Sequence, residues 1–115
     1  MILDNEIEHE EKFKEWLITL NFSTRVISGY PSTLKKSIPQ KLKEINELEY
    51  NNLFQCFNIE YLKTLQKRLR KGGDLSQFNQ SISNGMPNAA VGQYIKYLLE
   101  TENLNNKIEL NNHRL

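Results

Sequence analysis

A single cysteine, Cys56, stands in 115 residues, so no internal disulfide can form, and the chain suits a reducing compartment. No apolar run approaches the roughly 18 residues that a membrane-spanning helix needs. The opening MILDNEIEHE is acidic and lacks the cationic and apolar regions of a secretory signal, so the expected location is cytoplasmic, away from a membrane. His9 and His113 lie far apart in sequence, and no metal-ligand cluster is visible. Gly85 is isolated, whereas a phosphate cradle needs a glycine-rich turn after a strand. Alternating apolar–polar strands, repeats and low-complexity tracts are all missing. These absences leave a helical reading.

The net charge is only +1, but it is unevenly spread. Residues 1–15 carry a net −4, while residues 24–43 and 61–73 each carry +5. The pattern admits an acidic helix facing basic ones, or solvated faces throughout.

The best-marked element is NIEYLKTLQKRLRKGG, residues 58–73. Asn58 is a suitable N-cap, Glu60 suits the first turn, and Arg68, Arg70 and Lys71 suit the C-terminal end of the helix dipole. Gly72 supplies a left-handed terminator. Ile59, Leu62, Leu65 and Leu69 recur at helical spacing and predict an inward face. Lys63, Lys67, Arg70 and Lys71 form one basic stripe on the outward face.

Asp4 or Asn5 is expected to cap a first helix reaching Leu20, with Ile7, Phe13, Trp16, Leu17 and Leu20 turned inward. Trp16 reads as core rather than as a base-stacking platform. Ser23 is a natural cap for a helix from Thr24, with Val26, Ile27, Tyr30, Leu34 and Ile38 apolar. Pro31 predicts a kink or a restart, and Pro39 poses the same choice for Gln40 to Leu48. Leu53, Phe54, Cys56 and Phe57 are expected to plug the core beneath a connector; nothing near Cys56 suggests a nucleophile. Asp74 can cap a short turn carrying Leu75 and Phe78. A loop over residues 81–88 follows, and Pro87 suits the first turn of a last helix. That helix carries Ala89, Ala90, Val91, Tyr94, Ile95, Leu98 and Leu99 on its apolar face, with Ala89, Ala90 and Gly92 allowing close approach. Residues 1–102 read as a single helical domain and 103–115 as a polar, flexible tail, against which Ile108 and Leu110 stand as possible docking residues. The expected fold is all-α, an orthogonal bundle of four to five short helices.

Phe13, Trp16 and Leu17, then Phe22-Ser23-Thr24, Ile27, Tyr30 and Leu34 follow an F-x-x-W-L…S-T-x-x-x-x-Y-x-x-x-L course. This resembles the N-terminal core-binding domain of tyrosine recombinases (phage integrases), a SAM-like helical bundle that clamps DNA. Asn58-Ile59-Glu60, Gly72-Gly73-Asp74, Phe78-Asn79, Asn84-Gly85 and Ala89-Ala90 resemble the helical N-terminal domains of some bacterial restriction and mobile-element proteins. The resemblance implies a DNA-binding accessory module. The integrase catalytic domain is not within it, since no His-x-x-Arg motif is present.

The expected function is therefore non-catalytic gripping of the DNA backbone. The contacts would come from Lys63, Lys67, Arg70 and Lys71, extended by Arg25, Lys35 and Lys36, with Ser23 and Thr24 as added donors. No cofactor is called for, and the carboxylates of residues 4–15 read as a solvated helix face rather than as an active site. The competing reading is a protein-interaction module that self-associates or docks a catalytic partner, the acidic first helix meeting another copy's basic stripe.

Overall fold

The computed structural model describes the backbone of residues 2–113 and the side chains of residues 7–101. Helix α1 runs Ile2–Thr19, so it begins before Asp4 and Asn5, and neither is its cap. Its end is built by Asn21, which takes φ 63°. The Asn21 N–H donates to the Ile18 carbonyl at 3.0 Å and the Phe22 N–H to the Leu17 carbonyl at 3.3 Å, the Schellman pattern that satisfies the last carbonyls. Phe13 and Leu17 are fully buried. Ile7 and Leu20, expected inward, are instead 56% and 49% exposed; Leu20 lies just past the last residue of α1, in the turn that Asn21 closes.

Ser23 caps α2 (Thr24–Ser32) as its sequence position predicts: extended backbone, with its side chain accepting from the Val26 N–H. The chain does not restart at Pro31, which is buried inside α2. A π-turn over Thr33–Ser37 follows, and α3 (Ile38–Glu44) continues from it with helical dihedrals at both junctions. The Ile38 N–H reaches back five residues to the Thr33 carbonyl. The wider turn spreads the carbonyls that the Pro39 ring would otherwise strike, so the rod continues through Pro39. That rod ends at Glu44 rather than Leu48, because Asn46 turns left-handed at φ 60°. The Glu47 N–H then donates to the Leu42 carbonyl at 2.8 Å, a second Schellman closure.

A 3-10 turn, Leu53–Gln55, buries Leu53 and Phe54, with Asn52 accepting from the Phe54 N–H at 2.8 Å. Cys56 is fully buried, as expected, whereas Phe57 is 65% exposed. The backbone at Cys56 and Asn58 is extended, so successive side chains alternate; with Cys56 inward, Phe57 faces out.

Asn58 caps α4 (Ile59–Leu69) by accepting from the Tyr61 N–H at 3.1 Å. Leu62, Leu65 and Leu69 are buried, and Ile59 is half-buried. The helix stops one turn earlier than Gly72, because Arg70 takes extended dihedrals; the positive φ of Gly72 serves the turn that follows. Asp74 is not the cap of α5 (Ser76–Ser81). It is held by Arg68, whose guanidinium also grips Glu47, with all four N–H···O distances between 2.8 and 3.0 Å. One arginine thereby ties the ends of α3 and α4 to the entry of α5.

Gly73 seats this corner. A Cβ there would lie 2.2 Å from the Arg68 carbonyl oxygen, a backbone atom that cannot swing aside. Gly73→Ala is therefore expected to destabilise the fold by about 1–3 kcal/mol in urea or thermal melts.

Helix α6 spans Met86–His113, so it takes in Met86–Asn88 of the expected loop and runs as helix through residues expected to be a polar tail. Pro87 sits in its first turn, as anticipated. Buried Asn79 fixes the start of α6: its Oδ1 accepts from the Asn88 N–H at 2.8 Å and its carbonyl from the Gly85 N–H at 3.0 Å. Ala90, Val91, Tyr94, Ile95, Tyr97 and Leu98 are buried, while Leu99 is exposed. Counting α2, the π-turn and α3 as one rod, the described residues form an all-α bundle of five helical rods, with no strand among them. Its centre is aromatic. Phe13 lies 5.5–6.0 Å from the rings of Trp16, Phe54, Tyr94 and Tyr97, joining α1, the 3-10 turn and α6. Trp16 is half-buried in this cluster, and its indole N–H donates to Glu100.

Candidate nucleic-acid interface

Helices α4 and α6 pack along each other and leave a cleft between them of about 350 Å³. Lys63, Gln66 and Arg70 line one side; Asn88, Ala89, Gly92, Gln93, Ile95 and Lys96 line the other. The small residues of α6 are what bring the two helices close. A Cβ at Gly92 would meet the Gln66 amide nitrogen at 2.7 Å, and that same amide donates to the Asn88 carbonyl across the cleft. Asn88 Oδ1 is buried with no hydrogen-bond partner among the described residues, so the cleft keeps one unmet acceptor.

Lys63, Arg70 and Lys96 are exposed and have no ion-pair partner among the described residues. Among the described residues no acidic side chain lines the cleft. Three unneutralised cations around one concave surface raise the local positive potential and favour a polyanion. Lys96 is the member that sequence spacing does not reveal. It is the one charged residue in the sequence from Met86 to Leu99, and only the packing of α6 on α4 brings it beside Lys63.

The other expected contact residues are dispersed. Lys67 is exposed on α4 outside the lining of this cleft, and Arg25 is exposed at the start of α2. Lys71 belongs to a separate depression with Ser76, Gln77, Gln80 and Ser81, since the extended Arg70 breaks the helical stripe before it. Lys35 and Lys36 line a different cleft, of about 460 Å³, with Pro39, Gln40, Lys43, Leu48 and Asn51. Lys35 is also bound by both carboxylate oxygens of Glu10 at 3.2 Å, so the acidic first helix does face a basic one at this point. Arg68, the most tightly held cation, is a structural clamp between Glu47 and Asp74.

Beyond Lys63 and Ile95, the seam between α4 and α6 opens into a second hollow of about 400 Å³. It is lined by His9, Lys12, Phe57, Ile59, Tyr97, Leu98 and Thr101. His9 sits among rings, with centroids 5.1 Å from Phe57 and 5.2 Å from Tyr97. Tyr94 donates to the Cys56 carbonyl at 2.9 Å, so its oxygen accepts from His9 Nε2–H at 3.0 Å; this fixes the neutral tautomer. Burial, and then the charge of Lys12, lower the His9 pKa below 6.5. Lys12 itself pairs with Glu8 at 3.0 Å, and the Tyr94 and Tyr97 hydroxyls are pushed up by burial and stay uncharged.

The folded state thus binds the His9 proton more weakly than the unfolded chain does. Stability from this site is complete above the unfolded value of 6.5 and is lost as the pH falls below it. Melting curves between neutral and mildly acidic pH should show this loss in the wild type, and His9→Gln should flatten it.

Cys56 is buried beside these groups, and burial pushes its thiol pKa up, away from nucleophilic thiolate. Among the described residues no group of three or more His, Cys, Asp or Glu is placed to hold a metal ion. Nor is any described helix long and apolar enough to cross a membrane. No protein-family model, curated protein sequence or solved structure matches this chain.

Proposed function

We propose that this chain is a non-catalytic DNA-binding module that grips the phosphate backbone with the cleft between α4 and α6. The observation that carries the reading is the convergence of Lys63, Arg70 and Lys96 on a cleft where, among the described residues, none of them is ion-paired and no acid forms part of the lining. Lysine and arginine at such positions contact phosphates without reading sequence. Lys67, beside them on α4, adds to the same field. The likeness of Phe13, Trp16, Leu17, Ser23, Thr24 and Tyr30 to the core-binding domain of tyrosine recombinases points the same way, toward an accessory role.

Three phosphate contacts give a salt slope of about −0.9 × 3, or roughly −2.7. Duplex affinity, read by fluorescence anisotropy, should fall about fortyfold between 50 and 200 mM salt. A flat salt response, or no binding at low salt, would sink the reading.

A second reading, self-association or docking of a protein partner, is favoured by Ile18 and Leu20, which are 55% and 49% exposed at the end of α1. Against the head-to-tail version, Glu8, Glu10 and Glu11 are already engaged by Lys12, Lys14 and Lys35 of the same chain. Sedimentation velocity over a range of concentrations separates the two readings, since a DNA-gripping monomer keeps a constant mass.

A further inference from the structure

The cationic cleft and the aromatic hollow share no lining residue but follow one another along α4 and α6, so that together they trace one groove. Ile59 of the hollow and Lys63 of the cleft are one turn apart on α4; Leu98 and Ile95 are one turn apart on α6. The groove therefore runs from Arg70 past Lys63 and Lys96 to a wall formed by Phe57, His9 and Tyr97. The first part offers charge to phosphates. The second offers ring faces.

We infer that this groove accepts a single-stranded segment of nucleic acid, with phosphates along Lys63, Arg70 and Lys96 and an unpaired base stacked on Phe57. The inference rests on the DNA-backbone reading and names the form of nucleic acid that the same site takes. A positively charged groove joined to aromatic platforms is the combination that binds single strands without sequence preference. A paired duplex keeps its bases stacked on each other and cannot present one to Phe57 without unpairing it.

Phe57 is the key residue. Its ring is 65% exposed although it follows a fully buried cysteine in a connector that otherwise fills the core. It is not adrift: its ring lies against that of His9 at a centroid distance of 5.1 Å, tilted by 46°, and His9 is anchored in turn by Tyr94. The low proton affinity of His9 keeps this wall neutral and apolar at physiological pH. Thr101 at the rim has its hydroxyl committed to the Tyr97 carbonyl at 2.9 Å, so that edge of the hollow is fixed as well. The cations in the cleft, and the absence of acid from both linings among the described residues, argue for a base joined to phosphates over an uncharged peptide side chain.

The test is fluorescence anisotropy at low salt, comparing a labelled oligothymidine of about 12 nucleotides with a labelled duplex of equal length. The proteins are the wild type, Phe57→Ala, Phe57→Tyr and Lys63→Glu/Lys96→Glu. The wild type should prefer the single strand by about tenfold, Phe57→Ala should lose that preference, and Phe57→Tyr should retain it. The double charge reversal should weaken binding to both nucleic acids. A Phe57→Ala protein that keeps the wild-type preference, or a wild type that prefers the duplex, overturns this inference and leaves the backbone reading standing. Failure of the wild type to bind either nucleic acid overturns both.

Discussion

Lys63→Glu/Lys96→Glu is expected to reduce duplex binding about a hundredfold at 50 mM salt, because each lost phosphate contact is worth about tenfold under those conditions. The salt slope should fall from roughly −2.7 to about −0.9, since Arg70 alone would remain. Both lysines are exposed and pair with no acid among the described residues, so the fold should tolerate the change. The matched control is Lys35→Glu. Lys35 lies in another cleft and is already neutralised by Glu10, so its reversal should cost little DNA affinity. If the two reversals weakened binding equally, the cleft between α4 and α6 would have no special role, and net charge alone would account for the interaction. Circular dichroism of each variant would keep a loss of fold from passing as a loss of contact.

Phe13→Ala should be among the most damaging single changes to the fold, costing about 3–5 kcal/mol. Its ring is fully buried and touches four others, and neighbours contributed by three separate elements cannot all collapse into the space left behind. A fall in Tm of at least about 10 °C follows. Ile7→Ala and Leu20→Ala remove comparable hydrophobes from the same helix, yet should change stability by no more than about 0.5 kcal/mol, because both are largely exposed. The contrast is informative because sequence periodicity assigns all three residues to one inward face. Equal losses from the three substitutions would mean that the ends of α1 are covered in solution, which would return attention to self-association.

Local chemistry was legible before the fold was known. Ser23 and Asn58 cap their helices through side-chain oxygens, and Pro87 opens the last helix, because each acts on backbone groups within three residues. Leu62, Leu65, Leu69, Val91, Tyr94 and Leu98 are buried as their spacing predicts, since period 3.6 marks a face whatever the face later meets. Cys56 as a small buried hydrophobe was legible from its place in an aromatic-rich connector.

Tertiary structure decided the rest. Whether Pro39 breaks the helix depends on whether the backbone before it can widen, and the π-turn at Thr33–Ser37 provides that room. Whether an arginine is free depends on which carboxylates fold onto it; Arg68 is clamped while Arg70, two residues on, is not. Nothing along the sequence near His9 names its partner; the packing of α1 on α6 half-buries it against Tyr94. Phe57 faces out because the cysteine before it faces in.

The proposed interface follows the same division. The sequence by itself determined a small all-α chain with a basic face on the helix after Asn58, since both are properties of neighbours along one chain. Only the packing of α4 on α6 brought Lys96 beside Lys63 and set Phe57 at the end of their groove. Side-chain spacing specifies a helix face, but the distance between two faces is set by how closely Gly92 and its neighbours let the helices approach.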